Sequence, residues 1–140
     1  MKEFCGITKI DHIGIAVKDI DESLKFYHEA LGIEVKDIEE VAGQKVKVAF
    51  LPIGESKFEL LQPTDPTSPI AKHIEKRGTG IQHVALRVDD VESEIERLKD
   101  EGVRFIGDKP TPGAGGAKII FVHPKSTGGV LLELCEKPEK

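Results

Sequence analysis

Two histidines and two glutamates recur in the same order along this chain: His12 and Glu59, then His83 and Glu133. Each histidine lies in a matched segment, Ile10-Asp-His-Ile-Gly-Ile-Ala-Val17 and Ile81-Gln-His-Val-Ala-Leu-Arg-Val88. Each glutamate lies inside an apolar run, Phe58-Glu59-Leu60-Leu61 and Leu131-Leu132-Glu133-Leu134. A lone histidine on a strand is an ordinary structural residue, and a lone glutamate can hydrogen-bond on a partly wet face. Repetition points elsewhere, because a carboxylate in the middle of an apolar strand is costly to desolvate unless a cation or good donors face it. Two imidazoles and two carboxylates are a natural ligand set for a divalent ion such as Zn, Co, Ni or Mn, with coordination positions to spare for substrate oxygens.

For these side chains to meet, the elements that carry them must aim them at one kind of surface. Residues 9–17 suit a strand, with Ile13, Ile15 and Val17 on one face and His12, Gly14 and Ala16 on the other. In the second copy Val84, Leu86 and Val88 oppose His83, Ala85 and Arg87. Leu60 and Leu132 are expected to face the core, leaving Glu59 and Glu133 on the histidine face. Asp19 and Glu22 form an acidic helix start, and Ile20, Leu24, Tyr27 and Leu31 follow at helical spacing before Gly32. The counterpart starts at Asp89 or Asp90, places Val91, Ile95 and Leu98 on one face and stops at Gly102. Glu92, Glu94, Glu96, Arg97 and Lys99 read as its solvated face.

Further strands are expected at 47–52, 57–62, 118–123 and 130–135, with less regular ones at 33–38 or 103–105. Each half therefore reads β-α-β-β-β, an α+β pattern. The Pro- and Thr-rich stretch 62–80 reads as a connection carrying a short helix at 69–77. It places a module boundary between 7–63 and 80–136, joined by 64–79, within a single domain spanning 1–140. The stretch from Pro110 to Gly116 has too much Pro and Gly for an element interior, and reads as a loop or lid. It matches neither the P-loop nor the dinucleotide fingerprint.

A length of 140 residues suits one domain, or two fused half-domains, without disulfide staples. With 25 Asp plus Glu against 20 Lys plus Arg, interspersed, the surface is not one for non-specific nucleic-acid binding. Cys5 and Cys135 have no CxxC spacing, which gives no support to a thiolate site or a disulfide framework, and a reduced, cytoplasmic protein is expected. No signal-like segment and no apolar run near the ~20 residues of a membrane span is present. His28 and His73 have no repeat partner and read as surface residues. His123, before Pro124, ends a strand and reads as exposed, with a place at a substrate entrance as the alternative.

The paired β-α-β-β-β modules, each with its His and Glu, resemble the vicinal oxygen chelate superfamily over nearly all of residues 7–136. Within it, the first histidine segment, Glu59-Leu-Leu-Gln-Pro63 followed by Ser68-Pro-Ile-Ala-Lys72, Gly80-Ile-Gln-His-Val-Ala85 and Phe121-Val-His-Pro-Lys-Ser-Thr-Gly-Gly-Val-Leu-Leu-Glu133 are similar to the methylmalonyl-CoA epimerases. The resemblance implies a vicinal oxygen chelate fold: two tandem βαβββ modules forming a cupped mixed sheet, helices outside and a divalent metal inside. His12, Glu59, His83 and Glu133 match its ligand positions. Some relatives carry glutamine in place of Glu59, and Gln62 is an alternative ligand that alternation and spacing disfavour. Also implied are an acyl-CoA thioester substrate, no nucleic-acid or membrane partner, a homodimer, and Co, Mn, Ni or Zn as the metal.

The implied reaction interconverts (R)- and (S)-methylmalonyl-CoA by C2 proton abstraction through a metal-stabilised enolate. Glu133 is the implied proton-transfer residue, with Glu59 as its pseudo-symmetric partner. The family pattern includes a further, non-ligand glutamate on the strand before the first metal glutamate, where this chain has Val48. Glu40 and Lys47 are near in sequence, but alternation sets Lys47 opposite Val48 and Glu40 falls in an expected loop, so the second base stays open. Lys118 reads as an ordinary exposed lysine, with attraction of CoA phosphates or of the substrate carboxylate as the alternative. Glyoxalase I shares the ligand set, but Ser68-Pro-Ile-Ala71 and His123-Pro-Lys-Ser126 favour the epimerase. Drug-binding modules of this fold typically lack the full set, and a ring-cleaving dioxygenase would use two histidines and one carboxylate around Fe(II).

Overall fold

Period-two alternation of apolar residues builds eight strands. In the computed structural model, which describes residues 6–138, these are β1 (Ile7–Ala16), β2 (Asp37–Val41), β3 (Val46–Ile53), β4 (Ser56–Pro63), β5 (Gly80–Val88), β6 (Phe105–Pro112), β7 (Lys118–Val122) and β8 (Leu132–Glu136). Cys5 lies outside the described residues. The helices are α1 (Ile20–Leu24), α2 (Pro69–Arg77), α3 (Val91–Asp100) and the single turn α4 (Pro124–Thr127). Among the described residues the chain forms two compact units, one of 12–82 and one of 6–11 with 83–138. No described helix is long and apolar enough to cross a membrane.

In the 12–82 unit the strands lie in the order β2-β3-β4-β1, antiparallel except for the parallel pair β4 and β1. Ile15, Leu60 and Ala49 are in register, and with Val17, Ile20 and Leu51 they form a core on the helix side of the sheet. Full burial of each larger aliphatic side chain is worth about 1.5–3 kcal/mol. The start of α1 is held twice: Asp19 accepts from Glu22 N at 3.3 Å, and Gln62 Oε1 accepts from Ile20 N at 2.8 Å. The helix then widens into a π-turn over Lys25–Ala30, closed by Leu31 N donating to Phe26 O. This extra residue per turn shifts the helix phase. Leu31, expected on the core face, is 54% exposed, whereas Leu24, Tyr27 and Ile33 pack against the core. The connecting helix α2 has the bounds read from the sequence, with Pro69 at its first turn and the buried Ser68 Oγ accepting from Ile70 N at 3.1 Å.

In the other unit the order β5-β8-β7-β6 repeats this plan, with β5 and β8 parallel and the remaining pairs antiparallel. Leu134 and Ile120 pair in register and pack with Val88, Val122 and the α3 residues Val91 and Ile95. Asp90 caps α3 by accepting from Ser93 N. Two expectations are corrected. Glu94 is not solvated but 4% exposed, because Arg97 Nη2 donates to Oε1 at 2.7 Å and the carboxylate packs where a Cβ on Gly6 would stand. Nor is 110–116 a loop throughout: Pro110 to Pro112 continue β6, and a 3-10 turn follows at Ala114–Gly116. β6 ends the strand order and changes register between Ile106 and Thr111, and an edge strand with an irregularity tolerates proline. Gly113 is required by close approach, since a Cβ there would meet Ile119 Cγ2 at 2.9 Å.

The Ser68 cap gives a direct check on the 62–80 connection. Ser68→Ala is expected to lower unfolding free energy by about 1 kcal/mol in urea titration, with unchanged far-ultraviolet circular dichroism of the folded state.

Candidate metal centre

Residues paired across neighbouring strands share a face, so register decides which side chains accompany each glutamate. In the 12–82 unit Gly14, Glu59 and Phe50 form one row, on the face opposite the Leu60 core. His12 lies two residues before Gly14 on the same face. Its Nδ1 is 3.3 Å from Glu59 Oε2, with His12 3% and Glu59 4% exposed. Lys57, two residues before Glu59, brings Nζ to 3.7 Å from the same oxygen.

The 83–138 segment repeats the row as Ala85, Glu133 and Phe121. His83 Nε2 is 3.3 Å from Glu133 Oε1, and these residues are 6% and 4% exposed. The Phe121 ring meets the His83 ring edge-to-face at 5.5 Å. Each unit thus brings together its own sequence-expected pair. The copies differ in the nitrogen presented, Nδ1 for His12 and Nε2 for His83. As metal ligands the imidazoles would be neutral, so each pair would carry one carboxylate charge for a cation to balance, shared at Glu59 with the Lys57 ammonium. Nitrogen and carboxylate donors of this kind fit a borderline divalent ion.

The alternative ligand Gln62 is on the other face, spent on Ile20 N. Lys47 is in register with both Gln62 and Glu40, which places all three away from Glu59. Val48 is 1% exposed and shares the Glu59 face, in register with Leu61 and with Glu39. Glu39 is the half-buried carboxylate that the sequence reading passed over, because the expected strand stopped at 38. Counting alternation back from Val41 is the signal that finds it.

The remaining sequence candidates have local roles. His28 is exposed, and its Nδ1 donates to Ile33 O at 2.7 Å. Half-buried His73 has its pKa held below the ordinary value by burial, with Arg77 adding to the effect. His123, also half-buried, caps α4 by accepting from Lys125 N at 3.1 Å. Lys118 Nζ lies 3.1 Å from Glu92 and 3.9 Å from Glu136, and these carboxylates, Glu92 first, raise its pKa. The nearby acidic group Asp90, Glu92 and Glu136 is thereby explained: Asp90 and Glu136 cap α3 through Ser93 N and Val91 N, and Lys118 faces the carboxylates.

The Glyoxalase/Bleomycin resistance protein/Dioxygenase superfamily matches residues 11–121. The chain is 37% identical over 130 residues to the ethylmalonyl-CoA/methylmalonyl-CoA epimerase of Cereibacter sphaeroides, covering 91% of this chain and 97% of that one. It superposes on the hypothetical protein BH1468 from Bacillus halodurans C-125 with a TM-score of 0.92 and 52% identity, over 94% of this chain and 96% of that one. It also superposes on a methylmalonyl-CoA epimerase in complex with methylmalonyl-CoA and NH4+, with a TM-score of 0.90 and 39% identity, over 95% and 96% of the two chains.

Substitutions on the two faces of β4 should separate. Gln62→Ala is expected to cost about 1 kcal/mol of stability through the lost bond to Ile20 N and to leave divalent-ion affinity unchanged. Glu59→Ala should instead weaken that affinity by roughly tenfold or more, measured by competition with a chromophoric chelator.

Proposed function

The chain belongs to the Glyoxalase/Bleomycin resistance protein/Dioxygenase superfamily and, within it, to the methylmalonyl-CoA epimerases, a family of isomerases, and on that premise we propose that it interconverts (R)- and (S)-methylmalonyl-CoA by moving the C2 proton with the aid of one divalent ion. The two buried His–Glu pairs carry this reading. Proton transfer at a carbon between two carbonyl groups calls for a cation to withdraw charge and a carboxylate to move the proton. His12, Glu59, His83 and Glu133 would hold the ion, their two carboxylates balancing its charge. When bound, it supplies Lewis acidity toward the substrate oxygens, an effect worth several kcal/mol. The donor set suits Co, Mn, Ni and Zn alike.

Glu133 is assigned the proton transfer on one face of C2. Its carboxylate accepts the proton while the C–H electron pair passes into the thioester carbonyl, and a proton returned to the opposite face gives the other epimer without net redox change. Phe121, in register with Glu133, shields that carboxylate from water, as Phe50 shields Glu59. The opposite face needs its own general acid–base group, a contribution of typically ~10² to 10⁴ in rate. Glu39 is our candidate, because it shares a row with Val48, and valine is short enough for a glutamate one strand further out to reach across it. A homodimer belongs to the same reading. Ile81 and Ile10, 65% and 49% exposed, are apolar surface that association would cover.

Incubation with methylmalonyl-CoA in D₂O is expected to place deuterium at C2 in the presence of at least one of the four metals. No deuterium entry with any of them would sink the epimerase reading. Chelation should abolish exchange, and His83→Ala should remove the rise in melting temperature that the metal confers. Glu39→Gln is expected to slow exchange of one epimer by roughly 10²-fold or more while the other continues, followed by nuclear magnetic resonance on separate epimers.

A further inference from the structure

The proton-transfer scheme makes no use of Arg87, yet this residue continues the row His83, Ala85, Arg87 on the Glu133 face of β5, in register with Cys135 as Ala85 is with Glu133. Its side chain is 19% exposed and is held at one edge: Nε donates to Asp11 Oδ2 at 2.7 Å, and the Asp11 side chain is fully buried. Among the described residues, no acceptor takes the N–H groups of the two terminal nitrogens. A guanidinium serving only as a structural partner for a buried carboxylate commonly pairs with it through two parallel bonds. Here the carboxylate takes the Nε proton and leaves the terminal donors for another acceptor.

The buried anchor also fixes the plane of the guanidinium, so little rotamer freedom remains to be lost when an acceptor arrives. A planar pair of oxygens matches the spacing of the two terminal donors and would take both at once. On the reading given under Proposed function, the substrate carries one such group beside the reacting carbon. We propose that Arg87 recognises the free carboxylate of the malonyl group through its terminal nitrogens, with Asp11 as the residue that positions it, and so selects malonyl-type thioesters over simple acyl-CoA.

Propionyl-CoA retains every phosphate of methylmalonyl-CoA but lacks the carboxylate, so it separates the two possible sources of anion recognition. By calorimetric titration of the metal-loaded protein, Arg87→Met should weaken methylmalonyl-CoA binding roughly 10- to 100-fold, the loss of a charge-assisted pair, and leave propionyl-CoA binding as in the wild type. Arg87→Lys, which keeps the charge without the fork, should fall between. Because Arg87→Met strands a buried carboxylate, the double variant Asp11→Asn with Arg87→Met serves as the folding control. It should bind propionyl-CoA normally and still lack the preference for methylmalonyl-CoA. Equal weakening of both ligands, or an intact preference in the double variant, would overturn the proposal. If the wild type exchanges C2 hydrogen but these variants keep their preference, this inference alone fails; if the wild type shows no exchange, the epimerase reading on which it rests fails first.

Discussion

A carboxylate placed in the middle of an apolar strand must be answered by a positive charge or by donors, and the surroundings of Glu59 and Glu133 follow from that requirement. Both units frame the carboxylate in the same row of three: a small residue on one side, Gly14 or Ala85, and a phenylalanine on the other, Phe50 or Phe121. The small residue leaves room for the imidazole two positions earlier on the neighbouring strand. The aromatic ring takes up the space that water would otherwise fill. Neither partner supplies charge, which is why the pairs suit a cation more than they suit a self-contained hydrogen-bonded core.

Such a row works only if the register is right, because a one-residue slip in a strand exchanges its two faces. A slip in β4 would send Glu59 into the core and bring Leu60 to the site. Gln62 guards against this from the far end of the strand. Its side chain reaches the helix side and accepts from Ile20 N, so a shifted β4 would lose its core contacts and leave a helix-start N–H unanswered together. In the other unit Glu136 has the matching position, accepting from Val91 N at the start of α3. The residue three beyond each glutamate thus ties the strand that carries the site to the helix that covers the core.

Alternation made much of this legible in advance. The His12 and Glu59 face, the His83 and Glu133 face, the Asp90 start of α3 and the bounds of α2 all follow from periods of 2 and 3.6 with capping residues. What stayed hidden depended on partners far away in sequence. Glu94 carries the same local signals as its solvated neighbours, and only the approach of Gly6 and Arg97 distinguishes it. The π-turn that expels Leu31 has no residue signature of its own. Pro110 and Pro112 argue against a strand until the strand is known to lie at an edge. Glu39 and Arg87 gain their interest from cross-strand neighbours, which a linear reading does not supply.

Departures from the repeat bear on the roles proposed for the two glutamates. In the proposed scheme Glu133 moves a proton while Glu59 only holds the ion, and a perfect duplication would make the two equivalent. They are not equivalent. Glu59 has an ammonium 3.7 Å from the oxygen that faces His12, so part of its charge is already answered by the chain and there is less to gain from releasing it. Glu133 faces an imidazole whose ring is braced edge-on by Phe121, which fixes the histidine beside it. That contrast supports Glu59 as the stationary donor of the proposed site and Glu133 as the one that exchanges a proton. On this view the duplication accounts for the donors, while the residues that broke the symmetry, Lys57 and Asp11 in the first copy and Arg87 in the second, account for how substrate and proton are handled.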